Sequence, residues 1–547
     1  MGVLKSTEVI GRAIENFNNV KNALDYVGVD TSKITSDEYG NSIRQFKSSL
    51  DKVGELEEQV DNLELSNSEL SSEIENYNSD FDDIYDAIVT KGQNPDKDDK
   101  STYAGAILAI ETSSGGGDEY EITNAMHLFG YDMNVNARTD LIDILLPHCK
   151  NVINWKEAFL GCLIPNGKTV EIDMSKVTDV NLMAPFKYTS PENTNAEITL
   201  KANTNGILRN IFYLYNDGKK YGLTNIEIHD KSNGGANNLS DLFHSCQNVK
   251  SLVLDFDASN IQYMNKTFEY FNYYNKTGQL TVIDLSNTSL DGDKLVQMNY
   301  CFKNSKYPEE IRFPQGFTIS NCSMSEFAYN ATYLKKINLD IVDDPNGSGG
   351  NFYWRLFEGC NNLEEIVTTK PRWIIYNNFD ACFANCNKLA NFPVIEFHIM
   401  GYNRCGFGYC FYQCYELEEL EIYIHNDVVT NAVNGEYTFY KDSKLKHIRG
   451  NLDLSLIGNT NNMFNSCTAL ETIETTGSFG GLNTGTASLT LDLSASAVFN
   501  ASDYINSLAS NNSGKTRIIK LNATVYNGLT QETKNLAISK NYTLASA

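Results

Sequence analysis

From Lys52 onward, apolar side chains recur three and four residues apart, at Val53, Leu56, Val60, Leu63, Leu70, Ile74, Tyr77, Phe81, Ile84 and Ile88. They fill the a and d positions of one heptad register, and Asn67 is the single polar occupant of an a position. This period predicts a helix with a narrow apolar seam, and it runs longer than a helix of an ordinary globular core. Residues 51–90 are therefore read as an α-helical coiled-coil stem, in which a buried Asn67 fixes register at some cost in stability.

Beyond about Asn151 the helical period gives way to another unit: an aromatic, two residues, often Cys, a polar pair, an apolar residue and a short alternating strand. Clear copies are LFHSCQNVKSLVLDF, LFEGCNNLEEIV, CFANCNKLANFPVI, CFYQCYELEELEIYI and MFNSCTALETIE, while CFKNSKYPEEIRF, EFAYNATYLKKINL and TFYKDSKLKHIRG keep the frame without the Cys. The anchoring aromatics are Phe159, Phe186, Phe212, Phe243, Phe268, Phe302, Phe327, Phe357, Phe383, Phe411, Phe439 and Phe464, at intervals of 25 to 34 residues. Such a period predicts a leucine-rich-repeat-like solenoid, β-rich with short helical turns, in which each coil buries its apolar face against its neighbours. Alternation then places Leu252, Leu254 and Phe256 inward, with Val253 and Asp255 outward.

Shorter signals divide the rest of the chain. The spacing Gly28, Tyr39, Ile43 returns as Gly92, Tyr103, Ile107, so a turn-helix module is read twice, within an N-terminal docking module at 1–50 and again at 91–112. The segment 113–118, which holds Ser113-Ser114-Gly115-Gly116-Gly117, is a flexible linker by composition. The solenoid is assigned to 119–480. The tail, 481–547, reads as strands alternating with helices near Ala501–Ala509 and Gln531–Ser539, and is assigned as a C-terminal cap over the last open coil.

Charge narrows the partners. With 44 basic against 69 acidic residues the formal net charge is -25, which repels phosphate backbones and anionic headgroups, so neither nucleic acid nor membrane insertion is expected. No apolar run is long enough to span a bilayer, and the start MGVLKSTEVIGRAIENF has acids where a signal peptide needs apolar residues. Among the 12 cysteines, the pairs Cys382/Cys386 and Cys410/Cys414 resemble zinc ligands until the repeat is drawn: Cys246, Cys360, Cys386, Cys414 and Cys467 share one repeat position. They are read as buried structural thiols, with no metal or cofactor. The Asn-x-Ser/Thr triplets at Asn265, Asn275, Asn330 and Asn522 reflect an Asn-rich chain. Acid neighbours such as Asp255/Asp257 or Asp343/Asp344 could supply an acid and a base, but no catalytic motif accompanies them, and the chain is not expected to be an enzyme.

The Phe-x-x-Cys-x-x-Leu frame resembles the BspA-like leucine-rich-repeat family of bacterial surface proteins. The block LNATVYNGLTQETKNLAISKNYTLA is similar to the ends of such proteins in gut bacteria and their phages, and IVTKGQNPDKDDKSTYAGAILAI to segments of phage tail and fibre proteins. This resemblance implies a phage fibre found on the virion. Its N-terminal region would attach to other virion structural proteins, and its repeats would bind a bacterial surface glycan or protein as host receptor. A bacterial cell-surface adhesin is the alternative, and a polysaccharide-degrading tailspike a third. Tyr270, Tyr273 and Tyr274 form the densest tyrosine cluster and are the candidate receptor contacts, with packing of an enlarged loop as the competing reading. The resemblance to fibres also implies a homotrimer. Sedimentation equilibrium of the full chain should therefore give three copies per particle, and Leu63→Asp with Leu70→Asp should yield monomers.

Overall fold

In a computed structural model the chain divides into two units, Met1–Asp118 and Glu119–Ala547. The structure describes residues 85, 88–89, 121–131, 139–177, 184–193, 195–206, 208–214, 222–230, 236–274, 278–345, 353–376, 378–400, 406–428, 433–480 and 488–547. The modules at 1–50 and 91–112 and the 113–118 linker lie outside the described residues. So does the heptad seam apart from Ile88, which is helical and buried.

The second unit is a β-solenoid of about 13 turns with few helices. Each coil is built around its anchoring phenylalanine. Five residues before the anchor, an Asn often caps the entry to the turn: the Oδ1 atoms of Asn154, Asn238 and Asn434 each accept from the N–H two residues on, an Asx turn that bends the backbone locally. The residues two before and two after the anchor then take positive φ, as in Asp241 and Ser245 about Phe243 or Tyr409 and Gln413 about Phe411. Left-handed backbone at non-glycine residues is uncommon and costs energy. It recurs here because it aims the N–H groups along the solenoid axis at the next coil. Asp241, Phe243 and Ser245 donate to Asn265, Thr267 and Glu269 at 3.0, 2.9 and 2.8 Å, so the turns stack as a ladder with little of the backbone left unpaired.

That ladder brings the anchors into one column. Phe129, Phe159, Phe186, Phe212, Phe243, Phe268 and Phe302 lie ring over ring, with centroids 4.5 to 5.9 Å apart and planes within 28°. A second run, Phe357 through Phe383, Phe411 and Phe439 to Phe464, stacks in the same way at 5.1 to 5.8 Å. Offset stacking of this kind contributes about 0.5–1.5 kcal/mol per pair beyond area burial. Two anchors differ from the sequence reading. Phe129 belongs to the column, so the solenoid has a coil ahead of Phe159. Phe327 does not hold the anchoring position, because Ala328 does: Ala328 N–H donates to Leu356 as the anchors do, and the positive-φ residues are Glu326 and Asn330. Phe327 fills the small space above Ala328 edge-on, at 79° to Phe302 and 88° to Phe357.

Three residues past the anchor a small donor ties each coil to the one before. Cys162, Cys246, Cys360, Cys386, Cys414 and Cys467 donate from Sγ to the anchor carbonyls of Phe129, Phe212, Ala328, Phe357, Phe383 and Phe439 at 2.8 to 3.3 Å. Thr189 and Ser305 do the same with hydroxyls toward Phe159 and Phe268. All eleven described cysteines are free and buried, and burial pushes the Cys162 thiol up to about 12. Cys382 and Cys410 sit just before their anchors in the core, and Cys382 donates to the Tyr353 carbonyl. The paired thiols are thus absorbed by the repeat.

The strands that follow the turns are parallel and in register. Thr169–Asp173, Glu197–Thr204, Leu223–Asp230 and Val249–Asp255 form one sheet. Val282–Asp284, Glu310–Arg312, Lys336–Asn338 and Glu365–Val367 form the next. A third runs Trp373–Tyr376, Ile395–Met400, Glu419–Val428, His447–Asn451 and Thr472–Ile473. In the first sheet Val253 and Asp255 face out, while Leu252, Leu254 and Phe256 face in but are only half-buried, because no strand pairs beyond theirs. Pro393 falls where the coil after Glu365–Val367 would continue the second sheet. Lacking an N–H, it interrupts the ladder, and the strand of that coil starts at Ile395.

The tail forms a parallel sheet of Ser488–Leu493, Thr516–Leu521 and Thr543–Ser546 with helices Ala501–Ser507, Ala523–Gly528 and Gln531–Ser539. The helix at Ala523–Gly528, begun by an Asn522 cap, adds to those expected. Ser496 Oγ donates to Leu470, and Asn500 N–H to Glu471, joining the tail to the last coil. Lys540 Nζ donates to Ile505, Asn506 and Leu508 carbonyls at 2.7 to 3.0 Å, placing a cation on the free carbonyls ending the Ala501–Ser507 helix.

At Asp442 the ladder carries a carboxyl where its neighbours carry a thiol. Oδ1 accepts from Cys414 N–H at 2.8 Å, and Oδ2 has no hydrogen-bond partner among the described residues. Burial pushes this group well above the usual carboxylate range, against the lowering effect of that one hydrogen bond. The folded chain therefore holds the proton more tightly than the unfolded one. Stability is retained below the unfolded-state value near 4 and falls as pH rises above it. Asp442→Asn keeps the acceptor, supplies a donor and removes the titration. In urea denaturation it should match the parent near pH 4 and exceed it by more than about 1 kcal/mol near pH 8.

Candidate binding surface

Because the turn reverses handedness on both sides of the anchor, the side chains two before and one after it lie on the outside of the turn and stack from coil to coil. In the early coils this stripe is charged: Glu157 is paired with His127 at 3.6 Å and with Lys187, and His244 lies 3.2 Å from Glu269. Tyr213 stacks on His244 at 4.8 Å. In the middle coils cations alternate with rings. Lys303 sits over Tyr300 and Tyr329 at 4.8 and 5.5 Å and reaches Glu326 at 2.6 Å; Arg355 covers Tyr329 and the exposed Trp354. The Phe383 coil interrupts the stripe with Ala381 and Ala384, and in the Phe411 and Phe439 coils it is aromatic. Tyr409 stacks on Tyr437 at 4.9 Å and Tyr412 on Tyr440 at 5.2 Å, and Lys441 lies over Tyr440.

The four tyrosines form a two-by-two platform held from beneath by the Phe411/Phe439 stack. Tyr409 is 36% exposed, and because the rings stack on one another the platform presents ring edges and hydroxyls, an apolar body with a polar rim that suits mixed glycan and protein surfaces. In the middle coils the charges of the stripe are tuned by burial. Desolvation pulls Lys303 down, but the Glu326 carboxylate outweighs it and the ammonium ends above its ordinary value. Burial raises Glu358 despite the guanidinium of Arg355 beside it.

Among the tyrosines singled out from the sequence, Tyr270 is 36% and Tyr274 55% exposed, while Tyr273 lies half-buried between them with ring centroids 5.6 and 4.9 Å away. Their loop is anchored rather than free-standing. Asn272 is fully buried and its amide bridges both backbone groups of Val249, and Gln247 accepts from the N–H groups of Tyr273 and Tyr274. The segment is both a packed loop and an exposed aromatic cluster, and it is separate in sequence from the later platform.

The acid neighbours lie at and just beyond strand ends. Asp343 is buried and accepts from Tyr353 OH at 2.5 Å and from the N–H groups of Asn321 and Tyr376. Asp257 accepts from Ser259 and Ser289, and Asp255 lies 2.8 Å from His229. Of the Asn-x-Ser/Thr positions, Asn265 links to Gln297 and Asn299, and Asn522 caps a helix. No family model, curated protein or solved structure matches the chain.

A contrast between column and stripe follows. Phe411→Ala opens a cavity between two stacked rings and should cost about 3–5 kcal/mol in chemical denaturation. Tyr412→Ala removes a surface ring and should cost less than about 1 kcal/mol.

Proposed function

We propose that this chain is a fibrous display protein of a phage particle: a virion structural fibre whose N-terminal region attaches and oligomerises, and whose leucine-rich-repeat-like solenoid binds a bacterial surface receptor without cleaving it. The observation that carries the reading is the turn stripe. Two runs of stacked phenylalanines hold an outer row rich in charged and aromatic side chains, interrupted at Ala381 and Ala384, with the stacked tyrosines Tyr409, Tyr412, Tyr437 and Tyr440 at one stretch of it. The heptads of residues 51–90 support a coiled-coil stem, the resemblance to fibres suggests that it is a homotrimer, and three copies of one stripe would multiply weak contacts through effective concentration. The resemblance of the frame to BspA-like surface proteins, and of the N-terminal module to phage fibre segments, supports the same reading.

Antibodies against the chain should decorate purified particles, and the full chain added to host cells should bind them and block adsorption. Tyr409→Ala with Tyr437→Ala should weaken cell binding by about tenfold or more, equivalent to about 1.4 kcal/mol, with melting little changed. Label on bacterial envelopes and none on particles would favour the adhesin instead, and shortened polysaccharide after incubation with pure protein would favour a tailspike.

A further inference from the structure

On the solvent face of the third sheet, outside the turn stripe, two histidines and a carboxylate converge. Parallel register sets Tyr376, His398 and His425 side by side on successive strands, and Glu396 lies two residues before His398 on the same face. The imidazoles of His398 and His425 are 4.5 Å apart between centroids and 14° from parallel. Glu396 Oε1 is 3.6 Å from His398 Nε2 and 3.1 Å from His425 Nε2. One ligand atom from each of the three side chains lies within 4.8 Å of the other two.

We infer that Glu396, His398 and His425 form a binding site for a divalent transition-metal ion of the zinc class. Ligand atoms bound at about 2.0–2.2 Å stand roughly 3–3.5 Å apart around such an ion, close to the two spacings from Glu396. Imidazole selects zinc and its neighbours over calcium or magnesium, which take oxygen ligands. Two further observations point the same way. His425 Nε2 is shielded from solvent and faces Glu396 Oε1 at 3.1 Å without a well-aligned hydrogen bond, so the two ligand atoms converge on a common space. Arg372 Nη1 holds the other carboxylate oxygen, Oε2, at 2.7 Å, which orients Glu396 and leaves Oε1 for the ion, the part an outer-shell partner plays at a metal site. Tyr376 stacks on His398 at 4.4 Å and fixes the plane of that ring.

Three protein ligands leave at least one position for water or an external oxygen or nitrogen donor. The ion also joins two neighbouring coils, since His398 and His425 belong to adjacent strands directly after the Pro393 interruption. The test is titration of Zn²⁺ into the chelator-treated full chain by calorimetry, paired with thermal melting and with Co²⁺ absorption. One equivalent should bind saturably and raise the melting temperature. His398→Ala and His425→Ala should each weaken binding by more than the roughly 10–100-fold that loss of an outer-shell partner costs. His229→Ala, at another histidine beside carboxylates, should leave it unchanged. Melting of each variant without metal shows that it is folded. Absence of saturable binding, binding by either histidine variant as tight as the parent's, or a thiolate-to-cobalt charge-transfer band that places the ion on cysteine would overturn the assignment.

Discussion

Everything in the solenoid depends on each turn donating its N–H groups along the axis to the turn that follows. A coil of this size cannot bury its own apolar face, so its stability comes from its two neighbours. The backbone ladder from Asp241, Phe243 and Ser245 to the next coil, repeated at each anchor, fixes the distance and rotation at which neighbours meet. Ring stacking, thiol donors and in-register strands all follow from that rotation. The left-handed residues on both sides of most anchors are the cost, and the ladder is what they make possible.

The frame was legible because it is written in side chains. Phe, Cys or its substitute, and a buried leucine such as Leu389, Leu417 or Leu445 recur at fixed offsets, and the alternation after them specifies strand faces. Errors arose where composition and geometry part. Phe327 looks like an anchor because its neighbour at the true position is Ala328, and only the backbone hydrogen bonds reveal the slip. Phe129 lacked a clear strand behind it and so escaped the pattern. The turn stripe was hidden for another reason: positive φ at Tyr409 or Lys441 has no residue signature comparable to glycine. An Asn five before the anchor was the available signal for that turn. Glu396 and His398 are visible as neighbours in sequence, but His425 joins them only through strand register. Most of the heptad seam falls outside the described residues.

Polar groups divide by depth. On the outer sheet face, Lys336 with Glu365 and Lys446 with Glu418 bridge successive coils and Lys250 reaches across one coil to Glu197, but exposed pairs of this type contribute about 0–1 kcal/mol each. Their effect is to spread a strongly acidic chain's few cations among its acids. Inside, one unpaired group matters more than several surface pairs, which is why thiols and hydroxyls, able to donate once and otherwise apolar, occupy the inner ladder.

The slip at Ala328 divides the column. On one side six rings follow Phe129 face over face, and on the other four follow Phe357, with Phe327 turned on edge between the runs. For a chain of nearest-neighbour couplings, that contact is a domain wall. Opening that begins at either end travels through like contacts until it reaches the wall, where the coupling changes. The ring column is thereby divided into two blocks, although the turn hydrogen bonds from Phe302 to Phe327 and from Ala328 to Leu356 carry across the wall.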